Sequence, residues 1–332
     1  MADAMRQSPK LITVFGGSGF LGRHVVRALA KRGYRIRVAV RRPDLAISLY
    51  PIGVIGQIQA VQANLRYDES IARAVERADA VVNCVGILAE NGRQTFDEVQ
   101  AEGARAIARA VTPGIPLVHV SALGADADSQ SGYARTKAAG EAAMLESHPD
   151  AVVLRPSVLF GPGDSFFNRF GALARALPVL PIAGAETRFQ PVFVGDVAEV
   201  AARAADGIVP GGCIYELGGP EIRTLRELVE YVLAVTERRR KVVSLPLPAA
   251  RLQARALEIA HALTLGLLPD ALRLTRDQVT LLQRDNVVSA AALAEGRTFE
   301  GLGIVPESFE AITPTYLYRF RKTGQFETMR AA

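Results

Sequence analysis

The 332-residue sequence contains no tryptophan, only two cysteines and only four histidines. Cys84 and Cys213 stand far apart, outside any CxxC or Cys/His cluster, which argues against a disulfide framework and against a zinc site. His24, His119, His148 and His261 fall at no metal-ligand spacing, so no metal is expected, and His119, inside an apolar run, reads as a satisfied core residue. No uninterrupted apolar stretch reaches the roughly 18 residues that a membrane-spanning helix needs. Met1 to Pro9 is short and polar and lacks the apolar centre of a signal peptide. A protein kept in a reducing interior is therefore expected. Low-complexity tracts and internal repeats are also missing. The net charge, +5, is modest for this length and does not imply a nucleic-acid partner.

What is present is apolar residues, 49% of the chain, enough for a large core in one α/β domain with a smaller lobe or in two domains. Lys10 to Phe15 reads as a buried parallel strand, Phe20 to Ala30 as a helix stopped at Gly33, and Arg35 to Val40 as a second strand. The alternation continues with strands at Ile58–Val61, Ala80–Val85, Leu117–Ser121 and Ala151–Arg155. Helices fall between them at Asp68–Arg77, Thr95–Val111 and Gly132–Leu145. The pattern predicts an α/β fold: a Rossmann-type, doubly wound parallel sheet over residues 1–160, with all strand C-termini on one edge. After Pro156 the regularity loosens. Residues 161–332 read as a smaller mixed lobe interleaved with returns to the main sheet, including helices at Arg223–Thr236 and Ala249–Leu268.

Between the first strand and the first helix lies Gly16-Gly17-Ser18-Gly19-Phe20-Leu21-Gly22, a GxxGxxG turn. Glycine lets the chain bend sharply, lets backbone approach a pyrophosphate, and lets the helix pack closely on the strand. The helix N-terminus then offers free N–H groups to the anion. The competing reading is a glycine-rich turn without ligand. At the end of the second strand, where an NAD site usually places an acidic residue, stand Arg41 and Arg42. Guanidinium groups pair with a 2′-phosphate, so NADP(H) is expected over NAD(H), unless these are ordinary surface arginines.

Tyr133 and Lys137 form a YxxxK, whose spacing puts both on one helical face, and Ser121 ends the preceding strand. An ammonium near a tyrosine favours the phenolate, and such a tyrosine exchanges a proton with a carbonyl or hydroxyl while hydride moves. Ser121 would orient the substrate oxygen and Lys137 would also hold the nicotinamide ribose.

Together these residues resemble the extended short-chain dehydrogenase/reductase family. The resemblance covers most of the chain and implies a cofactor cleft lined by Cys84, Val85 and Gly86 after Asn83. It implies adenine contacts at Asn64 and Leu65, where Asn replaces the usual Asp. A nicotinamide-side loop is implied at Arg155-Pro156-Ser157-Val158, with Phe160 replacing the usual Tyr. Gln190 to Val197 is similar to a later family strand, with Gln190 in place of His, and Tyr215 to Pro220 also fits. Within the family, Leu49–Gln57, Ala80–Gly86 and Leu245–Leu257 are similar to the Rossmann-fold accessory subunits of respiratory complex I. That narrower resemblance implies a chain holding NADP(H) for structural stability. It further implies complex I subunits as partners, where the peripheral arm meets the membrane arm, and a peripheral location on the cytoplasmic side of the inner membrane. An active NADP-dependent reductase or epimerase on a sugar nucleotide, sterol or isoprenoid-like substrate is the alternative. The apolar run Phe166, Phe167, Phe170, Leu173 and Leu177 slightly disfavours the sugar nucleotide.

Arg238 to Lys241 is a basic run, followed by the helix from Ala249, on which Leu252, Ala256, Ile259, Leu263 and Leu267 recur at helical spacing. One reading is an interfacial segment on anionic lipid or a partner; the other is a basic helix end and a core-facing helix.

Overall fold

A computed structural model describes residues 9–263, 274–322 and 324, with side chains of 259–263 left aside. The chain forms two compact units, each assembled from separate stretches. The first holds the chain up to Ser121 together with Thr136–Arg155 and Val197–Tyr215. The second holds Ala122–Arg135, Pro156–Asp196 and the chain from Glu216 onward.

The backbone of the first unit runs β1 (Leu11–Phe15), α1 (Phe20–Lys31), β2 (Arg35–Val40), β3 (Ile58–Gln62), α2 (Asp68–Val75), β4 (Ala80–Asn83), α3 (Glu102–Ala110), β5 (Leu117–Val120), α4 (Gly132–Ser147) and β6 (Val152–Pro156). The seven-stranded sheet has the order β11-β6-β5-β4-β1-β2-β3, with β11 at Cys213–Leu217. The ladders joining β3, β2, β1, β4, β5 and β6 are parallel throughout. This is the doubly wound arrangement expected, and its strands read as continuous apolar runs because both sheet faces are covered. Helix α1 buries Leu21, Val25, Val26 and Leu29, and the chain leaves it through Gly33 at φ 79°. Ile71, Ala74, Ala104, Ile107, Leu117 and Met144 share one core cluster with Phe15. Buried polar groups in the sheet are paired: Thr13 Oγ1 donates to the Ala74 carbonyl at 2.7 Å, which also accepts from Arg37 Nη1 at 2.8 Å.

Two local readings differ. Asp68 lies in the first turn of α2, and the N-cap is Tyr67, which makes no side-chain capping bond. The helix expected from Thr95 to Val111 divides into a π turn, Asp97–Ala101, and α3. Gln100 in that turn donates through Nε2 to the Ile87 carbonyl at 2.9 Å, and a Cβ at Gly140 of α4 would lie 2.4 Å from the Gln100 carbonyl oxygen. Only glycine permits that approach.

The second unit contains β7 (Leu159–Phe160), α5 (Phe167–Ala176), β8 (Val179–Ala183), β9 (Arg188–Phe189) and β10 (Val192–Phe193), where α6 (Val194–Ala205) begins before crossing into the first unit. After β11 come β12 (Arg223–Thr224), α7 (Leu225–Val235), β13 (Lys241–Leu245), α8 (Leu247–Leu263) and α9 (Arg276–Leu281). Three two-stranded sheets pair β10 with β7, β12 with β9 and β13 with β8. The helix expected from Arg223 starts at Leu225, because Thr224 caps it in a reciprocal box with Glu227. Phe160, Phe167, Phe309, Tyr316 and Phe320 build an aromatic core, with Phe166 and Phe170 packed against it. The apolar run after Pro156 is therefore structural, and its hydrophobicity says nothing about a substrate.

The segment read as an amphipathic helix over 249–268 is α8 as far as Leu263; residues 264–268, with Leu267, lie outside the described residues. Its buried side chains are Ala250 and Ala254, packed with Ala183 and Val279. Leu252 is 72% exposed and Ala256 is exposed too, so these two members of the stripe do not face the core. In the basic run, Arg238 donates to the Phe320 carbonyl at 2.7 Å and Arg240 to the Ala174 carbonyl at 2.9 Å, while Arg239 and Lys241 are exposed. Among the described residues no helix is long and apolar enough to cross a membrane.

Candidate dinucleotide site

The glycine turn is built by close packing. Gly16 takes φ 71°, and a Cβ there would sit 3.1 Å from Val85 Cγ2 and 3.2 Å from the Cys84 carbonyl carbon. A Cβ on Gly22 would lie 2.2 Å from the Gly16 carbonyl oxygen, which no side chain tolerates. Gly16 N donates to the Ala39 carbonyl at 3.0 Å and Gly19 N to the Gly16 carbonyl at 2.9 Å, folding the turn back on itself. Helix α1 starts after Gly19 with no side-chain cap and no acidic residue in its first turn. Its leading amides and partial positive charge thus meet no competing carboxylate of their own helix. Ser18 and Gly19 are exposed, Leu21 is buried, and Phe20 stacks edge-on against His24 with the Arg23 guanidinium 5.4 Å from its ring centre.

Arg41 and Arg42 follow β2 and both are exposed. They differ in commitment. Arg42 pairs with Asp44 at 2.7 Å, whereas Arg41 has no hydrogen bond or ion pair among the described residues. At the end of β3, Asn64 Oδ1 accepts from Arg66 N at 3.2 Å, and Leu65 packs into the core beneath Gly103. After β4, Cys84 N donates to the Phe15 carbonyl at 3.0 Å, and Asn83 Oδ1 accepts from Val85 N at 3.0 Å. Burial pushes the Cys84 thiol up to about 12, so it is a small packed group and no nucleophile.

Asn83 also fixes a tautomer. Its Oδ1 is taken by Val85 N, so the Nδ2 facing His119 Nδ1 at 3.1 Å donates, and His119 Nδ1 accepts. Burial pushes His119 down to about 3, so the ring is neutral and carries its proton on Nε2, which has no hydrogen-bond partner among the described residues. Ser121, two residues on, is 4% exposed, and its Oγ likewise has no hydrogen-bond partner among them. A buried hydroxyl left unpaired costs free energy, on the order of 1–3 kcal/mol, which an incoming oxygen would recover.

Lys137 is buried, donates through Nζ to the Val120 carbonyl at 3.0 Å, and would meet a Cβ on Gly86 at 3.1 Å. Burial holds its pKa down at about 8. Thus Gly16 packs against Val85, and Gly86 against Lys137, within the first unit. Tyr133, in the first turn of α4, belongs to the second. The sequence suggests a tyrosine with a lowered pKa. Instead burial and the Asp277 carboxylate raise Tyr133 to about 12. Beyond β6, the Ser157 hydroxyl bonds Asn286 Oδ1 at 2.7 Å and Val158 N donates to the same atom at 3.2 Å, while Pro156 accepts from Leu123 N at 3.0 Å.

Several pairings that shape the site are not signalled by the motifs. Arg155, which the structure places within β6, forms a two-pronged ion pair with Glu141 of α4 at 2.8 and 2.6 Å, and Glu141 is buried. Gln190 donates to the Gly219 carbonyl at 2.8 Å and accepts from Val288 N at 3.0 Å, closing a loop network. Asp277 caps the start of α4 from 145 residues away. No local signal in the sequence announces these pairs.

The comparison with family models matches residues 12–218 to the NAD dependent epimerase/dehydratase family. The chain belongs to that family. The family's expected property is NAD(P) binding, and the uncapped α1 terminus and glycine packing suit a dinucleotide. The chain is similar to the Arabidopsis thaliana "NADH dehydrogenase [ubiquinone] 1 alpha subcomplex subunit 9, mitochondrial", 34% identical over 94% of this chain and 78% of that protein. It is also similar to a "Ceramide reductase" of Caulobacter vibrioides, 34% identical over 57% of this chain and 58% of that protein. Among solved structures, an NADPH-dependent quinone oxidoreductase from Escherichia coli, complexed with NADPH, shares the fold with a TM-score of 0.68. It is 21% identical, covering 92% of this chain and 99% of that one.

Proposed function

We propose that this chain is an NADP(H)-holding accessory or assembly subunit of respiratory complex I, with the nucleotide kept for structural stability. The observation that carries the reading is the 34% identity to the Arabidopsis subunit across 94% of the chain, with the glycine turn intact. The amides of Gly16 to Gly22 and the start of α1 would hold the pyrophosphate. Arg41, unpaired among the described residues, would take the 2′-phosphate, with Arg42 assisting through a guanidinium already shared with Asp44. Asn64 and Leu65 would flank the adenine and Cys84, Val85 and Gly86 the cleft. Lys137, Tyr133, Ser121 and Pro156 to Val158 would serve the nicotinamide half. When bound, the nicotinamide supplies hydride chemistry; a phenol held protonated at Tyr133 serves this chain as a donor to the cofactor. Complex I subunits are the partners, with anionic lipid a second contact through Arg239, Lys241 and the exposed Leu252 stripe, on the cytoplasmic side of the inner membrane. The test is a native gel of gently solubilised membranes. Co-migration with complex I, with NADPH recovered from the band, is expected; migration as a free protein would defeat the reading.

A second reading is favoured by one observation, the buried Ser121 hydroxyl left without a hydrogen-bond partner among the described residues. On it the chain is an active NADP-dependent reductase or epimerase on a sterol-like, isoprenoid-like or sugar-nucleotide substrate. Turnover with a carbonyl panel, abolished by Tyr133→Phe, would select it.

A further inference from the structure

Between Lys31 and Ala63 the chain carries six basic residues, Lys31, Arg32, Arg35, Arg37, Arg41 and Arg42, against one acidic residue, Asp44. The same stretch holds the densest run of exposed large apolar side chains among the described residues: Leu45, Ile47, Tyr50, Val54 and Ile55. Single apolar residues scattered over a surface are ordinary, whereas a cluster of them marks an interaction site. The whole stretch belongs to the first unit. Three of its cations are engaged. Arg32 pairs with Glu199 at 2.6 Å and Asp206 at 3.3 Å, Arg42 pairs with Asp44, and Arg37 donates to the Ala74 and Glu76 carbonyls at 2.8 Å. Lys31 and Arg35 are exposed and form no ion pair among the described residues, and Arg35 only donates through Nε to the Pro9 carbonyl at 3.0 Å.

The tip of the apolar run is anchored from inside. It follows the 3-10 turns of Pro43–Ile52, and the buried Gln57 reaches across its base. Gln57 Nε2 donates to the Ala30 carbonyl of α1 at 2.8 Å and to the Tyr34 carbonyl at 3.0 Å. Its Oε1 accepts from Val54 N at 2.9 Å. A Cβ on Gly53 would lie 2.6 Å from that Oε1, and Gly56 turns the chain at φ 79°. A buried amide and two glycines therefore fix two β-branched residues whose side chains meet water, Val54 at 74% exposure and Ile55 fully exposed. Side chains already stiff at χ1 on a fixed backbone lose little entropy when a partner covers them. Beside the tip is a hollow of about 360 Å³, walled by Ala30, Gly33, Val54 and Ile55 and rimmed by Lys31 and Arg35. No carboxylate of the described residues lines it.

We propose that the Val54–Ile55 tip and the hollow beside it dock a protein partner through an acidic segment. An aliphatic side chain of that segment enters the hollow, and its carboxylates pair with Lys31 and Arg35. The charge argues for this chemistry, because two cations without a counter-charge flank the apolar wall and a carboxylate satisfies both. The shape argues for a protein, because a concave wall takes a side chain, whereas a bilayer surface offers none. The apolar contact supplies the bulk of the attraction, and the rim charges select the partner and its orientation. The proposal deepens the accessory-subunit reading and rests on it only for which protein supplies the segment.

The experiment expresses the full chain in its source cell with the photoreactive change Ile55→p-benzoylphenylalanine, irradiates it, and sequences the adducts by mass spectrometry. The expected adduct joins one protein through a peptide rich in Asp and Glu. Its yield should drop about fivefold or more when Lys31→Gln and Arg35→Gln are added, since each exposed pair is worth up to about 1 kcal/mol. Val54→Ser, which keeps both cations, should lower the yield as well. Unfolding temperatures equal to that of the parent chain show that these variants keep their fold. Absence of any protein adduct would overturn the proposal, as would adducts with lipid alone, a neutral or basic peptide, or a yield unchanged in both variants. The protein that carries the peptide tests the complex I reading separately. An acidic peptide from outside complex I would defeat that reading and leave the docking surface standing.

Discussion

Among single residues, Lys137 shows most directly how burying a charge, here one proposed to hold the cofactor, opposes stability. Its folded pKa of about 8 lies below the ordinary lysine value of 10.5. Below about pH 8 both folded and unfolded chains carry the proton, and burial of the ammonium costs the fold about 3 kcal/mol. Between about pH 8 and 10.5 the folded chain has released a proton that the unfolded chain keeps, so stability rises with pH across that window. Lys137→Met removes the group. In nucleotide-free protein the variant should be more stable than wild type at pH 7, by about 1–3 kcal/mol, less whatever the lost bond to the Val120 carbonyl contributed. Urea unfolding at pH 7 and pH 10 should show that advantage shrinking at the higher pH; an advantage independent of pH would refute the argument. The same variant should lose nucleotide affinity.

Arg41 and Arg42, alike in sequence, should behave differently. Arg42 is already paired with Asp44, so Arg41 should carry most of the discrimination for a 2′-phosphate. Arg41→Ala should weaken NADPH about tenfold or more and leave NADH nearly unchanged, with Arg42→Ala giving the smaller effect, because a hydrogen bond to a charged group is worth about 1.5–3 kcal/mol. Calorimetric titration of the two variants with both nucleotides decides the order. An unchanged NADPH/NADH ratio in the double variant Arg41→Asp, Arg42→Ala would remove the NADP(H) preference altogether.

At the scale of elements, legibility follows from range. Strands β1 to β6 were readable as short apolar runs between helical segments, and helix α1 as a periodic segment stopped at Gly33. Strands of two residues, β7, β9, β10 and β12, have no period to read. Of the two readings of α8, the core-facing one does not fit Leu252 and Ala256, which are exposed. The core contact runs through Ala250 and Ala254, which composition does not mark as a face, while the conspicuous Leu252 points outward. The glycine turn and YxxxK were legible because their chemistry is local. The carboxylate that caps the start of α4 was not, because Asp277 arrives through tertiary packing. Two substitutions separate the stripes of α8. Leu252→Ser should change the unfolding free energy by no more than about 0.5 kcal/mol. Ala254→Leu overfills a buried position and should cost about 1–3 kcal/mol. Reversed magnitudes would mean that α8 faces the core through Leu252.

For the whole molecule, ligand binding and folding are linked. A nucleotide that binds only the folded chain stabilises it by about 2.7 kcal/mol when present at a hundred times its dissociation constant. A subunit that keeps its cofactor would draw on that contribution continuously, whether or not hydride ever moves. Thermal unfolding of the purified chain should therefore shift upward with NADPH, and less with NADH at equal concentration. Gly22→Ala supplies the control, since its Cβ would collide with the Gly16 carbonyl oxygen at 2.2 Å and deform the phosphate turn. That variant should unfold at a lower temperature without ligand, and, more tellingly, its NADPH-induced shift should vanish. The difference between shifts, not the absolute temperatures, carries the inference, because any damage to packing appears equally with and without nucleotide. A wild-type shift identical for NADPH and NADH would leave the dinucleotide site standing and remove the 2′-phosphate from it. A full shift retained in Gly22→Ala would place the nucleotide somewhere other than the turn after β1.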